Sequence, residues 1–114
     1  MAVKIKRIYE KYSATDGYRV LVDRLWPRGV SKQKAKLDLW LKEVGPSDDL
    51  RQWFKHDPAR YKEFEMRYFK ELAKNPAAAQ LKDIIKDHPQ LTLLYSAHDE
   101  QHNQATVLQK YLTC

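Results

Sequence analysis

Two short apolar runs stand out in a chain that elsewhere mixes charged and hydrophobic positions. Val20-Leu21-Val22 and Leu91-Thr92-Leu93-Leu94-Tyr95-Ser96 are near-continuous and bounded by turn signals. Strands buried on both faces of a sheet read this way. Residues 3–8 instead alternate, with Val3, Ile5 and Ile8 set among Lys4, Lys6 and Arg7, which predicts a half-exposed strand. From Leu37 to Val44 helical and strand periodicities compete. Period two in the first half favours a short strand near residues 38–43, ended by Gly45-Pro46.

Between these runs the spacing becomes helical. Residues 31–35 can form one helical turn behind an N-cap at Ser31. Ser47 with Asp48 and Asp49 marks a helix start, and Leu50, Trp53 and Phe54 share one face of the segment that follows. Asp57-Pro58 and Asn75-Pro76 each read as an N-cap followed by proline in the first helical position. Tyr61, Phe64, Tyr68 and Leu72, joined by Phe69, make the stripe of an amphipathic helix, and that stripe reads as core. Ala77, Leu81, Ile84 and Ile85 line the next helix, which His88-Pro89 ends. Asp99 is expected to cap a last helix with Ala105, Leu108 and Leu112 on its buried side. Strands separated by helices predict a single α/β domain, with a mostly parallel sheet of about four strands flanked by helices. The link from Tyr9 to Tyr18 is short for a helical crossover, so spacing alone also allows a long hairpin.

Charge adds a preference for partners. The 114 residues carry 21 Lys and Arg against 15 Asp and Glu, a net charge of +6. That favours phosphorylated metabolites, nucleic acid or anionic surfaces. Because the acids are interleaved with the bases, a solvated basic surface is the simpler reading. The single cysteine, Cys114, rules out an internal disulfide and fits a reducing cytoplasm. A terminal thiol of that kind is not a preorganised nucleophile. The N-terminal residues show no signal-peptide apolar region, and no stretch is long enough to cross a membrane. A cytoplasmic protein with no membrane partner is expected.

The chemistry gathers just after the first apolar run, in Asp23-Arg24-Leu25-Trp26-Pro27-Arg28-Gly29. Pro27 ends the strand and Gly29 permits a tight bend. These side chains therefore sit at the carboxyl end of a central strand, where open α/β sheets bind ligands. Arg24 and Arg28 suit a carboxylate or phosphate, Asp23 can orient one of them, and Trp26 can stack on a flat ligand or a guanidinium. The same residues also read as an Asp–Arg pair that pins the turn, with Trp26 in the core.

Val22-Asp23-Arg24-Leu25-Trp26-Pro27-Arg28-Gly29, with Leu94-Tyr95-Ser96-Ala97 and Asp99 to Asn103, resembles the YeaO-like family, domain of unknown function 488. The likeness runs over nearly the whole chain. It implies a three-layer Rossmann-like domain and a parallel arrangement with a reduced first crossover. It implies no activity. More distant relatives carry cysteine and histidine around the last strand and its loop. This chain has Tyr95 and Asn103 there, so chemistry resting on such a cysteine is lost or changed.

Four loops are expected to meet above the strand ends. They bring Tyr9 and Glu10; Asp23, Arg24, Trp26 and Arg28; Lys42, Glu43 and Ser47; and Ser96, His98, Asp99, His102 and Asn103. This set resembles an anion or nucleotide pocket more than a metal centre. Arg24, Trp26, Arg28, Lys42, Ser47, Ser96 and Asn103 are the candidate ligand-binding residues, with Asp23 and Asp99 for acid–base work. Helix starts after Ser47 and Asp99 would add backbone donors. His98 and His102 stand four apart but lack the H-E-x-x-H pattern, and neither serine lies in a G-x-S-x-G elbow. The residues single out no cofactor and leave the oligomeric state open. The alternative is a nucleic-acid-binding protein without a known motif. It would use Lys4, Lys6, Arg7, Lys11, Lys32, Lys34 and Lys36 on phosphates, and Tyr9, Tyr12 and Trp26 on bases. A third class, an interaction protein, would place Trp40, Trp53 and Tyr111 on a dimer face.

Overall fold

A computed structural model of the chain describes residues 2–113; Met1 and the terminal thiol of Cys114 lie outside the described residues. Four strands, β1 (Ala2–Arg7), β2 (Tyr18–Leu21), β3 (Leu39–Trp40) and β4 (Gln90–Tyr95), form one sheet in the order β1-β4-β2-β3. Every pairing is parallel: Ala2–Arg7 against Gln90–Tyr95, Tyr18–Leu21 against Leu91–Leu94, and Val20 and Leu21 against Leu39 and Trp40. The two apolar runs are the two interior strands. β1 lies at an edge, where the exposed Lys4 blunts further pairing.

The sheet divides its side chains by alternation. Val3, Val20, Val22, Leu91, Leu93 and Tyr95 join one core with four helices: α2 (Asp48–Phe54), α3 (Tyr61–Ala73), α4 (Pro76–Asp87) and α5 (Gln104–Thr113). Phe64, Tyr68, Leu72, Leu81, Ala105 and Leu108 carry the helices' share. Leu21 and Leu94 point the other way, into a thinner layer with Ile8, Ala35 of α1 (Lys32–Ala35), Trp26, Leu37 and Trp40. Each fully buried Leu is worth roughly 1.5–3 kcal/mol relative to exposure, so the second layer closes the fold as well as the first.

The first crossover is indeed reduced. It passes over β4 with only a 3-10 turn at Ala14–Asp16, closed by a capping box between Ser13 and Asp16. Thr92 Oγ1 donates to the Asp16 carbonyl at 2.7 Å, which ties the crossover to the strand beneath it. Gly17 follows at φ 69°, and a Cβ there would lie 2.3 Å from the Gln90 carbonyl oxygen. The hairpin that spacing allowed does not form. Asp16 and Arg19 are both buried and paired, and Lys6 also pairs with the carboxylate.

Ser31, Ser47, Asp57 and Asn75 cap as their sequence contexts indicate. Two expectations are corrected. The strand near 38–43 pairs only through Leu39–Trp40, with flanking hydrogen bonds from Asp38 N and Leu41 N. Leu41 and Val44 are both drawn into the core, so the chain tightens into a 3-10 turn at Lys42–Val44. The last helix begins at Gln104, and its cap is Asn103 rather than Asp99: Asn103 Oδ1 accepts from Thr106 N at 3.0 Å.

Candidate functional site

In a parallel sheet all carboxyl ends lie on one edge. The chain leaves the two central strands in opposite directions: from β2 it runs toward β3, and from β4 it turns into α5, which packs on β1 and β4. Ligands bind in the crevice at such a switch point. Here the crevice is an open cavity of about 810 Å³, within the roughly 300–1,000 Å³ of small-molecule sites.

Asp23, buried in its wall, joins the surrounding elements. Its Oδ2 accepts from Ser96 N at 2.9 Å and Ser96 Oγ at 2.7 Å, at the end of β4. Its Oδ1 accepts from the Gln104 side chain in the first turn of α5. Its backbone carbonyl accepts from Trp40 Nε1 at 2.7 Å, at the end of β3. Among the described residues no cation lies within ion-pair distance of the carboxylate, whose partners are Ser96 and Gln104. Burial pushes it above the ordinary carboxylate range, against the downward pull of the Ser96 and Gln104 hydrogen bonds.

Asp23 is the one acid among the described residues of the wall, which also holds Arg7, Arg24, Arg28 and Arg51. Arg7, at the end of β1, donates Nε to the Ala97 carbonyl at 2.8 Å and Nη2 to the Ser96 carbonyl at 3.2 Å. Arg24 donates Nε to the Pro46 carbonyl at 2.6 Å and Nη2 to the Gly45 carbonyl at 3.0 Å. Both guanidiniums are thus held by backbone rather than neutralised, and each retains further donors. Arg28 is exposed, and its side chain makes no hydrogen bond or ion pair among the described residues. Arg51 pairs with Asp48 at 3.0 Å on the surface, a contact of little strength.

His56 and His98 also line the rim. His56 arrives by an unusual backbone route. Lys55 and His56, at φ 50° and 54°, are consecutive left-handed residues at the end of α2, and neither is the glycine such geometry favours. The apolar wall is Leu25, Trp26, Pro27, Phe54 and Phe64. Leu25 is 68% exposed. Trp26 reconciles both readings of the sequence: its Nε1 donates to the Val30 carbonyl at 2.6 Å and its ring meets Trp40 edge-on in the second layer, while it still lines the cavity.

Of the residues singled out by sequence, Asp23, Arg24, Trp26, Arg28 and Ser96 come together here, and Lys42, Ser47, Asp99 and Asn103 do not. Lys42 Nζ lies 5.4 Å from the Trp40 ring centroid. Ser47 is occupied by Glu71, to which its N and Oγ donate at 2.9 and 2.6 Å, and by capping Leu50 N. Asn103 is fully buried and divided between the Asp99 carbonyl and the cap of α5. Asp99 accepts from Gln101 N, His102 N and His102 Nδ1. The Gln101 backbone bond, followed by the His102 side chain, holds its carboxyl below the ordinary range. Of the backbone donors expected at the two helix starts, Ser47 N, Leu50 N, Gln101 N and His102 N are already engaged. Among the described residues, no three His, Cys, Asp or Glu side chains gather to hold a metal ion. Arg51, His56 and Gln104 were not legible as site residues, since each reaches the cavity from a distant element, and Arg7 was named only as a phosphate contact of the nucleic-acid alternative.

The model of the inactive DUF488-N3 subclade matches residues 2–114. The chain is 45% identical over 113 residues to "Uncharacterized protein YeaO" of Escherichia coli (strain K12), across 98% of this chain and 97% of that protein. It is 44% identical over 82 residues to "Uncharacterized protein Rv3073c" of Mycobacterium tuberculosis (strain ATCC 25618 / H37Rv), across 72% and 70% of the two chains. No solved structure matches it. A match of this extent, over a fold of the kind the resemblance implied, makes the chain a member of the YeaO-like DUF488 family, in the subclade described as inactive.

Proposed function

We propose that the cavity at the ends of β2 and β4 binds a small anionic, nucleotide-like ligand and holds it without turning it over. The observation that carries this reading is the charge of the wall: among the described residues four arginines line it with one carboxylate, and that carboxylate is already engaged by Ser96 and Gln104. Arg28 supplies the uncommitted guanidinium, suited to a phosphate or carboxylate through paired N–H donors. Trp26, Phe54 and Phe64 supply an apolar wall for a flat group.

Binding without turnover is favoured by the occupancy of the acids. Asp23 serves as a positioning residue, because both of its oxygens orient neighbours. Asp99 lies outside the cavity wall and is tied into its own turn. Tyr95 and Asn103 stand where more distant relatives are expected to carry cysteine and histidine, and both are buried. The description of the matching subclade as inactive agrees.

A thermal-shift screen of nucleotides and anionic metabolites, with Arg28→Ala in parallel, tests the reading. A ligand at about a hundred times its dissociation constant adds roughly 2.7 kcal/mol of stability. The expected result is a shift of several degrees that Arg28→Ala abolishes. A ligand that shifts both proteins equally places binding elsewhere.

A further inference from the structure

The cationic surface continues past Arg28. Across Tyr9 the cavity adjoins a second hollow of about 400 Å³, whose rim carries Lys11, Lys34 and Lys36 against Glu10. Glu10 is itself engaged, accepting from Arg7 N at 3.1 Å. Tyr9 lines both hollows and forms the saddle between them. Its hydroxyl donates to the Arg28 carbonyl at 2.9 Å, and the Arg7 guanidinium lies 5.0 Å from its ring centroid, yet the residue is 47% exposed. Gly29, at φ 78°, carries the chain from one rim to the other, with open space where a side chain would stand. In the second hollow Tyr12 is 42% exposed, with Lys36 Nζ 4.4 Å from its ring centroid.

We propose that the two hollows form one track for a short single-stranded nucleic acid, with Tyr9 and Tyr12 as stacking positions between cations that follow the phosphates. The first hollow is the nucleotide cavity proposed above, and the track rests on that reading. Single-strand binding surfaces combine a basic groove with exposed aromatic faces, because regularly spaced phosphates alternate with flat bases. A mononucleotide fills only the first hollow and leaves Lys11, Lys34 and Tyr12 without a role. An acidic peptide satisfies the lysines but has no use for two exposed tyrosine rings. Paired bases are already stacked on one another and present no free face to them.

Fluorescence anisotropy on the full chain tests this, with thymidine monophosphate and labelled oligothymidylates up to about eight residues. Affinity is expected to rise at least tenfold between the mononucleotide and about four residues, then level off. Three phosphate contacts give a salt slope of about −2, or roughly a twentyfold loss across a fourfold rise in salt. The double variant Lys11→Glu/Lys34→Glu is expected to weaken oligonucleotides roughly tenfold and leave the monophosphate unchanged. Tyr12→Ala is expected to do the same by about tenfold through lost stacking. Circular dichroism and the melting temperature check that each variant is folded. A monophosphate that binds as tightly as the longest oligonucleotide, or lysine variants without effect, overturns the track while the cavity reading stands. Oligoglutamate that competes as well as an oligonucleotide of equal charge overturns it in favour of an acidic peptide. Failure of both monophosphate and oligonucleotides to bind overturns track and cavity together.

Discussion

Asp23 allows the structure's reasoning to be tested without knowledge of any ligand. In Asp23→Ala, Ser96 N, Ser96 Oγ and the Gln104 amide all lose their acceptor. Ser96 and Gln104 are half-buried, so water reaches part of what is lost, and each orphaned donor costs about 1 kcal/mol, the low end of the usual range. Alanine also relieves the burial of a charge, which leaves a net loss of about 2–3 kcal/mol. For a domain of this size that lowers the melting temperature by about 8–12 °C. Asp23→Asn is expected to behave differently. Its Oδ1 can accept both Ser96 donors, and Gln104 can turn its amide to present oxygen to the new Nδ2. The asparagine variant should lie within about 1 kcal/mol of the parent at neutral pH. Because burial raises the folded-state value of Asp23, the native protein holds that proton more tightly than the unfolded chain. The parent's stability therefore falls as pH rises from the ordinary carboxylate value through the raised one. Asp23→Asn lacks that fall and should gain on the parent across the same window. Urea titration of the three proteins at several pH values measures all of this. An alanine variant as stable as the parent, or an asparagine variant as damaged as alanine, would refute the hydrogen-bond account.

Three further outcomes follow from separate features. Gly17→Ala should cost at least about 2 kcal/mol in urea unfolding, because the new methyl meets the Gln90 carbonyl at a left-handed position. Burial alone would raise Asp16; the Ser13 backbone N–H, Lys6 and Arg19 outweigh it and hold the carboxyl below its ordinary value. Its stabilisation is therefore present above the unfolded value and lost as pH falls through the folded one, so Asp16→Asn should flatten the acid limb of a stability–pH profile. Removing the Asp23 carboxylate from the cavity wall should also tighten anions, so Asp23→Asn is expected to bind a nucleotide roughly two- to tenfold more strongly by calorimetry at low salt.

Much of this was readable from residue order because local chemistry and tertiary context agree. Val20–Val22 and Leu91–Tyr95 are apolar on both faces because they are the interior strands. Asp57-Pro58 and Asn75-Pro76 begin helices because the cap and the missing N–H both suit a first turn. The turn after β2 holds the centre of the site, since Asp23 to Arg28 need only its local bend to reach the cavity. Features that depend on distant partners were not readable. Arg19 sits between apolar residues and is buried because the left-handed turn at Lys36 offers it the Ala35 and Lys36 carbonyls. Lys42 and Ser47 were expected at the site because they follow the third strand, but Trp40 and Glu71 take them elsewhere. His56 depends on two left-handed residues that no glycine announces. The cap of α5 falls at Asn103 because Asp99 is consumed by its own Asx turn four residues earlier.

The most direct test of the cavity as an anion site is to locate an anion in it without choosing a metabolite. Crystals soaked in selenate and measured at the selenium edge would give that position. The strongest anomalous peak is expected within hydrogen-bonding reach of Arg28 and at least one of Arg7, Arg24 and Arg51. Peaks confined to surface lysines away from the strand ends, with the cavity open to the soak and empty, would contradict it.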